Sequence, residues 1–248
     1  MEPPIFYAPP IGPEDDVIDL PKEESHHLAS VLRLKTSAIV IVVDGLGMAH
    51  RGEVIRADKT SVSVRVHSRQ RNFGEPAVRL TLAAGLSAGS KFDSVVQRGT
   101  ELGVRRFVPV ITEKSKVNIE DPKRARSRVT RLEKVALAAM KQCRRSYRPD
   151  IASPSSLTDF LKETDRESVN LIFHPSTRGK SLENVQLGPE VKRVSILVGP
   201  EAGFTESEVE EAEQAGYIPV TLGARVLRTE TAGPVVCALV MQALGEFR

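Results

Sequence analysis

The stretch LGARVLRTETAG, residues 222–233, lies between an apolar run that predicts a strand, 217–222, and one that predicts a helix, 234–244. A plain strand-to-helix connection needs only a turn residue and a helix cap. This one carries two glycines, two arginines, a carboxylate and two threonine hydroxyls. The excess of polar groups indicates a ligand-binding junction.

A second junction of the same kind precedes it. LVGPEAGFTESE, residues 197–208, places a glycine-rich loop between an apolar strand and a helix whose start is a capping box of Thr205 and Glu208. Such loops let backbone N–H groups approach a ligand, and the helix end adds partial positive charge. Ligands in open α/β sheets collect beyond the carboxyl ends of strands, so the two loops predict one pocket. Glycine spacing alone leaves open that each loop is only a turn.

The rest of the chain divides into two patterns. From residue 78 onward strands alternate with helices, which predicts an α/β domain with a mostly parallel sheet. The predicted strands are 78–86, 105–112, 169–174, 194–199 and 217–222, and the predicted helices are 90–103, 121–143, 157–163, 205–214 and 234–244. Before residue 70, short apolar strands at 38–47, 52–57 and 60–69, with a helix at 23–35, are typical of a small barrel or sheet. The polar segment 69–76 predicts a linker.

Composition narrows the functional classes. The chain has 248 residues, 40% of them hydrophobic, and a net charge of +3. Basic residues crowd residues 105–148 with few acids among them, which favours contact with RNA or DNA over a merely solvated helix face. Two distant cysteines and the pair His26-His27 give no zinc spacing, so no metal is expected. No signal peptide and no apolar run of about 20 residues occur, so we expect a cytosolic protein without a membrane span.

Two other glycine patterns are set aside. GLGMAH, residues 45–50, lacks the third glycine of a dinucleotide fingerprint and lies in a predicted hairpin turn. GLSAGSK, residues 85–91, follows a strand and opens a helix, but it is one residue short of a P-loop. Turn chemistry with Ser90 as helix cap explains it.

LVGPEAGF followed by LGARVLRTETA resembles the RsmE family of ribosomal RNA methyltransferases in the SPOUT superfamily. HHLASVLRLK, KFDSVVQRGTELGVRRFVPVITEKS and KQCRRSYRPDI follow the order and spacing of that family. The resemblance implies a PUA-like RNA-binding β-barrel over residues 1–72 and a SPOUT α/β methyltransferase domain with a trefoil knot over 73–248. It also implies a homodimer that binds S-adenosylmethionine and methylates N3 of one uridine in small-subunit (16S) ribosomal RNA. Two departures are Ala202, where the family commonly has glycine, and Lys141 before Gln142, where it often has glutamate.

The resemblance assigns roles to residues of the two junctions. For the cofactor we expect an apolar slot in which glycines let the ligand approach the main chain closely. The predicted cofactor-binding residues are His174, Leu197, Gly199, Glu201, Leu222, Gly223, Leu227 and Thr231. Arg225 and Arg228 are the expected catalytic donors to the uracil oxygens or a phosphate. Glu230 is either a base or, preferably, the ion-pair partner of an arginine, and His174 is a second-choice base. The expected RNA contacts are Arg33, Arg98, Lys114, Arg144 and Arg145.

Two alternatives remain open from sequence. A non-catalytic RNA-binding or ribosome-assembly factor would suit the barrel and the basic run, although it would not require the paired glycine loops. A SPOUT methyltransferase acting on another RNA position would share every feature named above.

Overall fold

The computed structural model describes residues 2–87, 89–115, 121–175 and 179–247. The chain forms two compact units. The N-terminal unit comprises Met1–Glu75 and Leu137–Arg148, and the C-terminal unit comprises Pro76–Ala136 and Pro149–Arg248.

The N-terminal unit is built on a small, mainly antiparallel sheet. Among the described residues its five strands are β1 (Ile5–Tyr7), β2 (Val17–Asp19), β3 (Ile39–Val43), β4 (Met48–Asp58) and β5 (Ser61–Arg71), in the order β1-β3-β4-β5-β2. Helix α1 (Lys22–His26) continues into a π-helical turn, His27–Val31. The alternating valines of β5 face a core with Phe6 and Leu28. The predicted strands and helix are therefore present.

Two details of this unit differ from expectation. Strands β1 and β2 are only three residues long, and their sequence shows no alternation that would predict them. The predicted linker begins too early, because β5 continues to Arg71, which pairs with Met48. The predicted turn at Asp44 is confirmed, since its Oδ1 accepts hydrogen bonds from the backbone N–H groups of Leu46 and Met48 at 2.7 and 2.9 Å.

The C-terminal unit contains an all-parallel sheet, as the alternating pattern predicts. In the described part of the chain its strands are β6 (Arg79–Gly85), β7 (Val104–Ile111), β8 (Asp150–Ile151), β9 (Ser155–Ser156), β10 (Val169–Phe173), β11 (Lys180–Ser181), β12 (Arg193–Val198) and β13 (Ile218–Thr221). Their order is β11-β13-β10-β12-β6-β7-β8, with β9 also paired to β7. The helices are α2 (Lys91–Glu101), α3 (Pro122–Gln142), α4 (Leu157–Lys162), α5 (Glu206–Gln214) and α6 (Thr229–Ala243).

The strand order brings the two glycine-bearing junctions together. Strands β10, β12 and β13 come from separate parts of the sequence, yet β10 lies hydrogen-bonded between the other two. Because all three are parallel, their carboxyl ends meet at one edge of the sheet. Apolar side chains from α2 and α6 cover one face of the sheet, and side chains from α4 and α5 cover the other.

The start of the last helix differs from the prediction. Helix α6 begins at Thr229, and Pro234 lies buried inside it. Proline cannot donate the backbone hydrogen bond that the carbonyl of Glu230 would accept four residues earlier. The guanidinium of Arg98 on α2 donates to that carbonyl at 3.4 Å. The sequence prediction was wrong because it treated the proline as the beginning of the helix.

The predicted cap of α5 is confirmed. Thr205 accepts from the backbone of Glu208, and the Glu208 carboxylate accepts from the backbone of Thr205 at 2.8 Å. Among the described residues, no helix combines the length and the apolar character needed to cross a bilayer.

Candidate active site

A cleft opens at the carboxyl ends of β10, β12 and β13. It holds about 660 Å³ of empty space, including the solvent at its mouth. Both glycine-bearing junctions border it. The lining residues that the sequence predicted are His174, Gly199, Glu201, Leu222, Gly223, Arg225 and Leu227.

The lower wall of the cleft is apolar and comes from strand ends and α6. Phe173 and Val198 end their strands there, Val220 is the last residue but one of β13, and Ala232 and Val236 approach from the helix. Thr229 is buried at the start of α6, and its hydroxyl donates to the carbonyl of Gly199 at 3.4 Å. This bond ties the second junction to the first.

Two predicted cofactor residues lie elsewhere. Leu197 is fully buried on the opposite face of the sheet, beneath α5, and its neighbour Val198 lines the cleft instead. Thr231 is exposed on the first turn of α6, where its backbone N–H donates to the carbonyl of Arg228 at 2.8 Å. Successive residues of a strand face opposite sides, so the prediction for Leu197 missed by one position.

His174 lines the cleft directly after β10. Its backbone N–H donates to the carbonyl of Val220 at 3.1 Å, and its ring centroid lies 6.5 Å from that of Phe204. Burial lowers the pKa of His174 below its ordinary value; the carboxylate of Glu206 opposes this and the ammonium of Lys114 adds to it. Nδ1 is buried and has no hydrogen-bond partner within the described residues. The site therefore presents a neutral imidazole.

The three expected catalytic residues surround the start of α6. Arg225 is exposed and lines the cleft, and Arg228 is exposed at the helix N-cap. Glu230 is half-buried, and its Oε2 is fully enclosed without a hydrogen-bond partner in the described residues. No ion pair within the described part of the chain joins Glu230 to either arginine. The preferred interpretation of Glu230 as an arginine's partner is therefore not supported.

The two RNA contacts expected in the C-terminal unit, Arg98 and Lys114, both lie near the cleft. Arg98 is exposed on α2 and binds the Glu230 carbonyl. Lys114 donates from Nζ to the carbonyl of Phe204 at 3.1 Å.

The basic face of α3 is partly engaged with its own unit. Arg128 donates to the carbonyl of Ser87 at 2.9 Å, and Arg131 pairs with Asp93 at 2.8 Å. These contacts reduce the number of cations that remain for a polyanion; residues 116–120 of the basic stretch lie outside the described residues.

The expected RNA contacts of the N-terminal unit differ in exposure. Arg33 is exposed, while Arg144 contacts Glu2 at 3.1 Å and lies 5.9 Å from the centre of the Phe73 ring. Arg145 is only 2% exposed and donates to Oε2 of Glu75 at 2.8 and 3.1 Å. The structure does not support Arg145 as an RNA contact, because the buried carboxylate of Glu75 holds its guanidinium inside the unit.

Within the described ranges, no cluster of three or more histidine, cysteine, aspartate or glutamate side chains could hold an ion.

The fold and the cleft agree with the comparisons to known proteins. The profile of the RNA methyltransferase domain matches residues 74–241, and that of the RNA methyltransferase PUA domain matches residues 20–66. The chain is therefore an RNA methyltransferase by family. The α/β fold with a PUA-like N-terminal domain is confirmed.

Comparison with individual proteins defines the family within the RNA methyltransferases more closely. Ribosomal RNA small subunit methyltransferase E from Bacillus subtilis (strain 168) is 30% identical over 215 residues, which cover 85% of this chain and 84% of that protein. The crystal structure of the enzyme of that name from Neisseria gonorrhoeae, bound to S-adenosyl methionine, has a TM-score of 0.89 and 29% identity over 100% of both chains. A putative methyltransferase from Legionella pneumophila, in complex with the bound cofactor SAM, has a TM-score of 0.87 and 28% identity over 98% of both chains. The chain belongs to the ribosomal RNA small subunit methyltransferase E family.

Proposed function

We propose that this protein transfers a methyl group from S-adenosylmethionine to N3 of a uridine in small-subunit (16S) ribosomal RNA. One observation carries the proposal: two glycine-bearing loops, which follow β12 and β13 on either side of β10, border a single cleft with an apolar wall and a cationic edge. A protein that only binds RNA would not require such a cleft.

The residues of the cleft fit the proposed cofactor. Val198, Leu222 and Leu227 offer an apolar slot for a purine, and Gly223 leaves open space beside its backbone. The carboxylate of Glu201 suits hydroxyl or ammonium groups at the cleft mouth. The neutral imidazole of His174 offers one further donor and one acceptor. When bound, S-adenosylmethionine supplies a methyl group already activated by positively charged sulfur.

The chain's own residues then have to align and deprotonate the base. Uracil N3 carries a proton, and the charge left by its removal spreads onto the neighbouring carbonyl oxygens. Arg225 and Arg228 are exposed donors suited to those oxygens. Glu230 is the better candidate for the base, because no arginine occupies its carboxylate in the described residues. Proximity of correctly aligned groups contributes several kcal/mol to such a step.

We also propose for this protein the domain architecture and the homodimer that the family resemblance implies. Residues 1–72 would form a PUA-like β-barrel that binds RNA, with Arg33 and Arg144 as contacts, and residues 73–248 a SPOUT domain with a trefoil knot. The functional protein would be a homodimer. In its support, Val226 is 80% exposed and Leu239 is 42% exposed on the C-terminal unit, and a second copy would cover such apolar surface.

The test is methyl transfer from labelled S-adenosylmethionine to 16S ribosomal RNA, with the product nucleoside identified by mass spectrometry. We expect one N3-methyluridine per RNA. RNA binding without transfer would favour the assembly factor, and methylation of another atom or another RNA would favour the alternative methyltransferase.

A substitution pair tests the base. Glu230→Gln should lower kcat by about 100-fold or more, the usual contribution of general base catalysis. Glu210→Gln, an exposed position on α5, is the matched control and should leave kcat unchanged. Equal activity of both variants would remove Glu230 from the mechanism.

A further inference from the structure

Two described residues of the segment GLSAGSK, Gly85 and Lys91, contact residues that line the cleft. A Cβ atom on Gly85 would lie 2.2 Å from the backbone nitrogen of Pro200, so the end of β6 touches the loop that follows β12. The first residue of α2, Lys91, lies at the mouth of the cleft. Its Nζ donates to Oε1 of Glu201 at 2.9 Å.

Lys91 also belongs to the charged group around the start of α6. Lys91, Val95 and Arg98 are spaced by four and three residues on α2, so they share one face of that helix. Val95 lies opposite Gly233, and Arg98 binds the Glu230 carbonyl. The hydrogen bond and charge of Glu201 raise the pKa of Lys91; the charge of Glu230 raises it further, and that of Arg228 lowers it. Lys91 therefore remains protonated beside the proposed catalytic residues.

The pair of Lys91 and Glu201 contributes little to folding. The two side chains are 47% and 40% exposed, and solvent screening makes such ion pairs weak contributors to stability. A solvent-accessible ammonium in such a pair can exchange one anionic oxygen for another at small cost. Its position beside Glu201, which lines the cleft, offers positive charge at the cleft mouth.

We propose that Lys91 is a substrate-binding residue whose ammonium, held at the cleft mouth by Glu201, binds an anionic oxygen of the target nucleotide. The proposal rests on the proposed function. The oxygen belongs either to a phosphate of the RNA or to the uracil ring as N3 loses its proton. In both cases Lys91 acts as a donor and not as a base, and no bond to it forms or breaks.

The test compares Lys91→Gln with Lys162→Gln. Lys162 on α4 is the matched control, because it pairs with Asp159 at the same 2.9 Å and both side chains are exposed. Lys91→Gln should lower kcat/KM for RNA by about 10-fold or more, with the Kd for S-adenosylmethionine changed less than twofold. Lys91→Arg should restore most of the activity, and Lys162→Gln should match the wild type.

Two further measurements separate the sources of the oxygen. If it is a phosphate, Lys91→Gln should reduce the slope of log K for RNA against log salt by about 0.7. If it is a uracil oxygen, that slope stays constant, while kcat falls and its pH profile moves to higher pH. Wild-type kcat/KM in Lys91→Gln, or a loss of cofactor affinity as large as the loss of activity, would overturn the role of Lys91. A wild-type protein that transfers no methyl group would overturn the proposed function itself.

Discussion

Replacement of Gly223 by alanine tests whether the second junction holds the cofactor. Gly223 has φ of +90° and no atom within 4 Å of a Cβ added there. The added methyl group therefore meets no steric obstacle, and its effect comes from backbone conformation alone. A side chain in this left-handed region costs about 1–2 kcal/mol. The loop can avoid that strain by changing its conformation when the cleft is empty.

Gly216 provides the matched control for this substitution. It has φ of +96°, equally open space, and a position after α5 away from the cleft lining. Alanine should therefore lower the free energy of unfolding by about 1–2 kcal/mol at Gly216 and by less at Gly223, where the loop of the empty cleft can relax. Only at Gly223 must ligand binding restore the strained conformation, so only Gly223→Ala should weaken cofactor binding.

The expected magnitude follows from the strain. A cost of about 1–2 kcal/mol corresponds to a roughly 5- to 30-fold higher Kd for S-adenosylmethionine. Isothermal titration calorimetry would measure the Kd, and urea denaturation would compare the stabilities. If Gly223→Ala and Gly216→Ala bind the cofactor equally well, the second junction does not contact it and the site is misplaced.

Three other outcomes follow from the structure. Arg145→Met should lower the free energy of unfolding by about 3–5 kcal/mol in urea, because it leaves the buried carboxylate of Glu75 without its partner; a loss of RNA affinity with unchanged stability would contradict this. Burial lowers the pKa of His174, so the folded state disfavours protonation of its imidazole. The contribution of His174 to stability is therefore complete above pH about 6.5 and is lost as the pH falls. His174→Gln should flatten that part of the profile of stability against pH, as measured by urea denaturation. Leu197→Ala should cost about 2–5 kcal/mol of stability with little change in cofactor Kd, whereas Val198→Ala should raise the Kd measured by calorimetry; the reverse pattern would restore Leu197 to the cleft.

The sequence predicts the larger elements because their patterns are long. The eleven-residue helix α2 and the long strand β5 each show a repeated apolar period. Strands β8, β9 and β11 have two residues each, too few to show any period. Their pairing follows from neighbouring strands that are distant in sequence.

The face of a buried strand was not predictable in the same way. Residues 194–198 of β12 are buried on both sides of a parallel sheet, so the strand is almost continuously apolar. The amino-acid sequence of the strand does not indicate whether Leu197 or Val198 faces the cleft. The choice depends on which helices cover each face, and this is a property of the whole chain.

The exposure of individual arginine side chains was also not predictable from the sequence. Arg144 and Arg145 are adjacent and identical in chemistry, yet one reaches the surface and the other is enclosed. The difference is Glu75, which lies 70 residues away along the chain and also accepts hydrogen bonds from the backbone of Ser146 and Tyr147. A basic run therefore predicts the sign of a surface, while the contacts of each cation depend on distant carboxylates.

The glycine patterns show why motif matching alone is insufficient. Gly85 belongs to a segment that fails the P-loop pattern by one residue, and its role here is steric. The backbone of Pro200 occupies the space where a side chain would lie. Because Pro200 lines the cleft, any side chain at Gly85 would displace the loop that borders the proposed cofactor. Lys91 pairs with Glu201, the residue after Pro200, so a displaced loop at Pro200 would also disturb this pair at the cleft mouth.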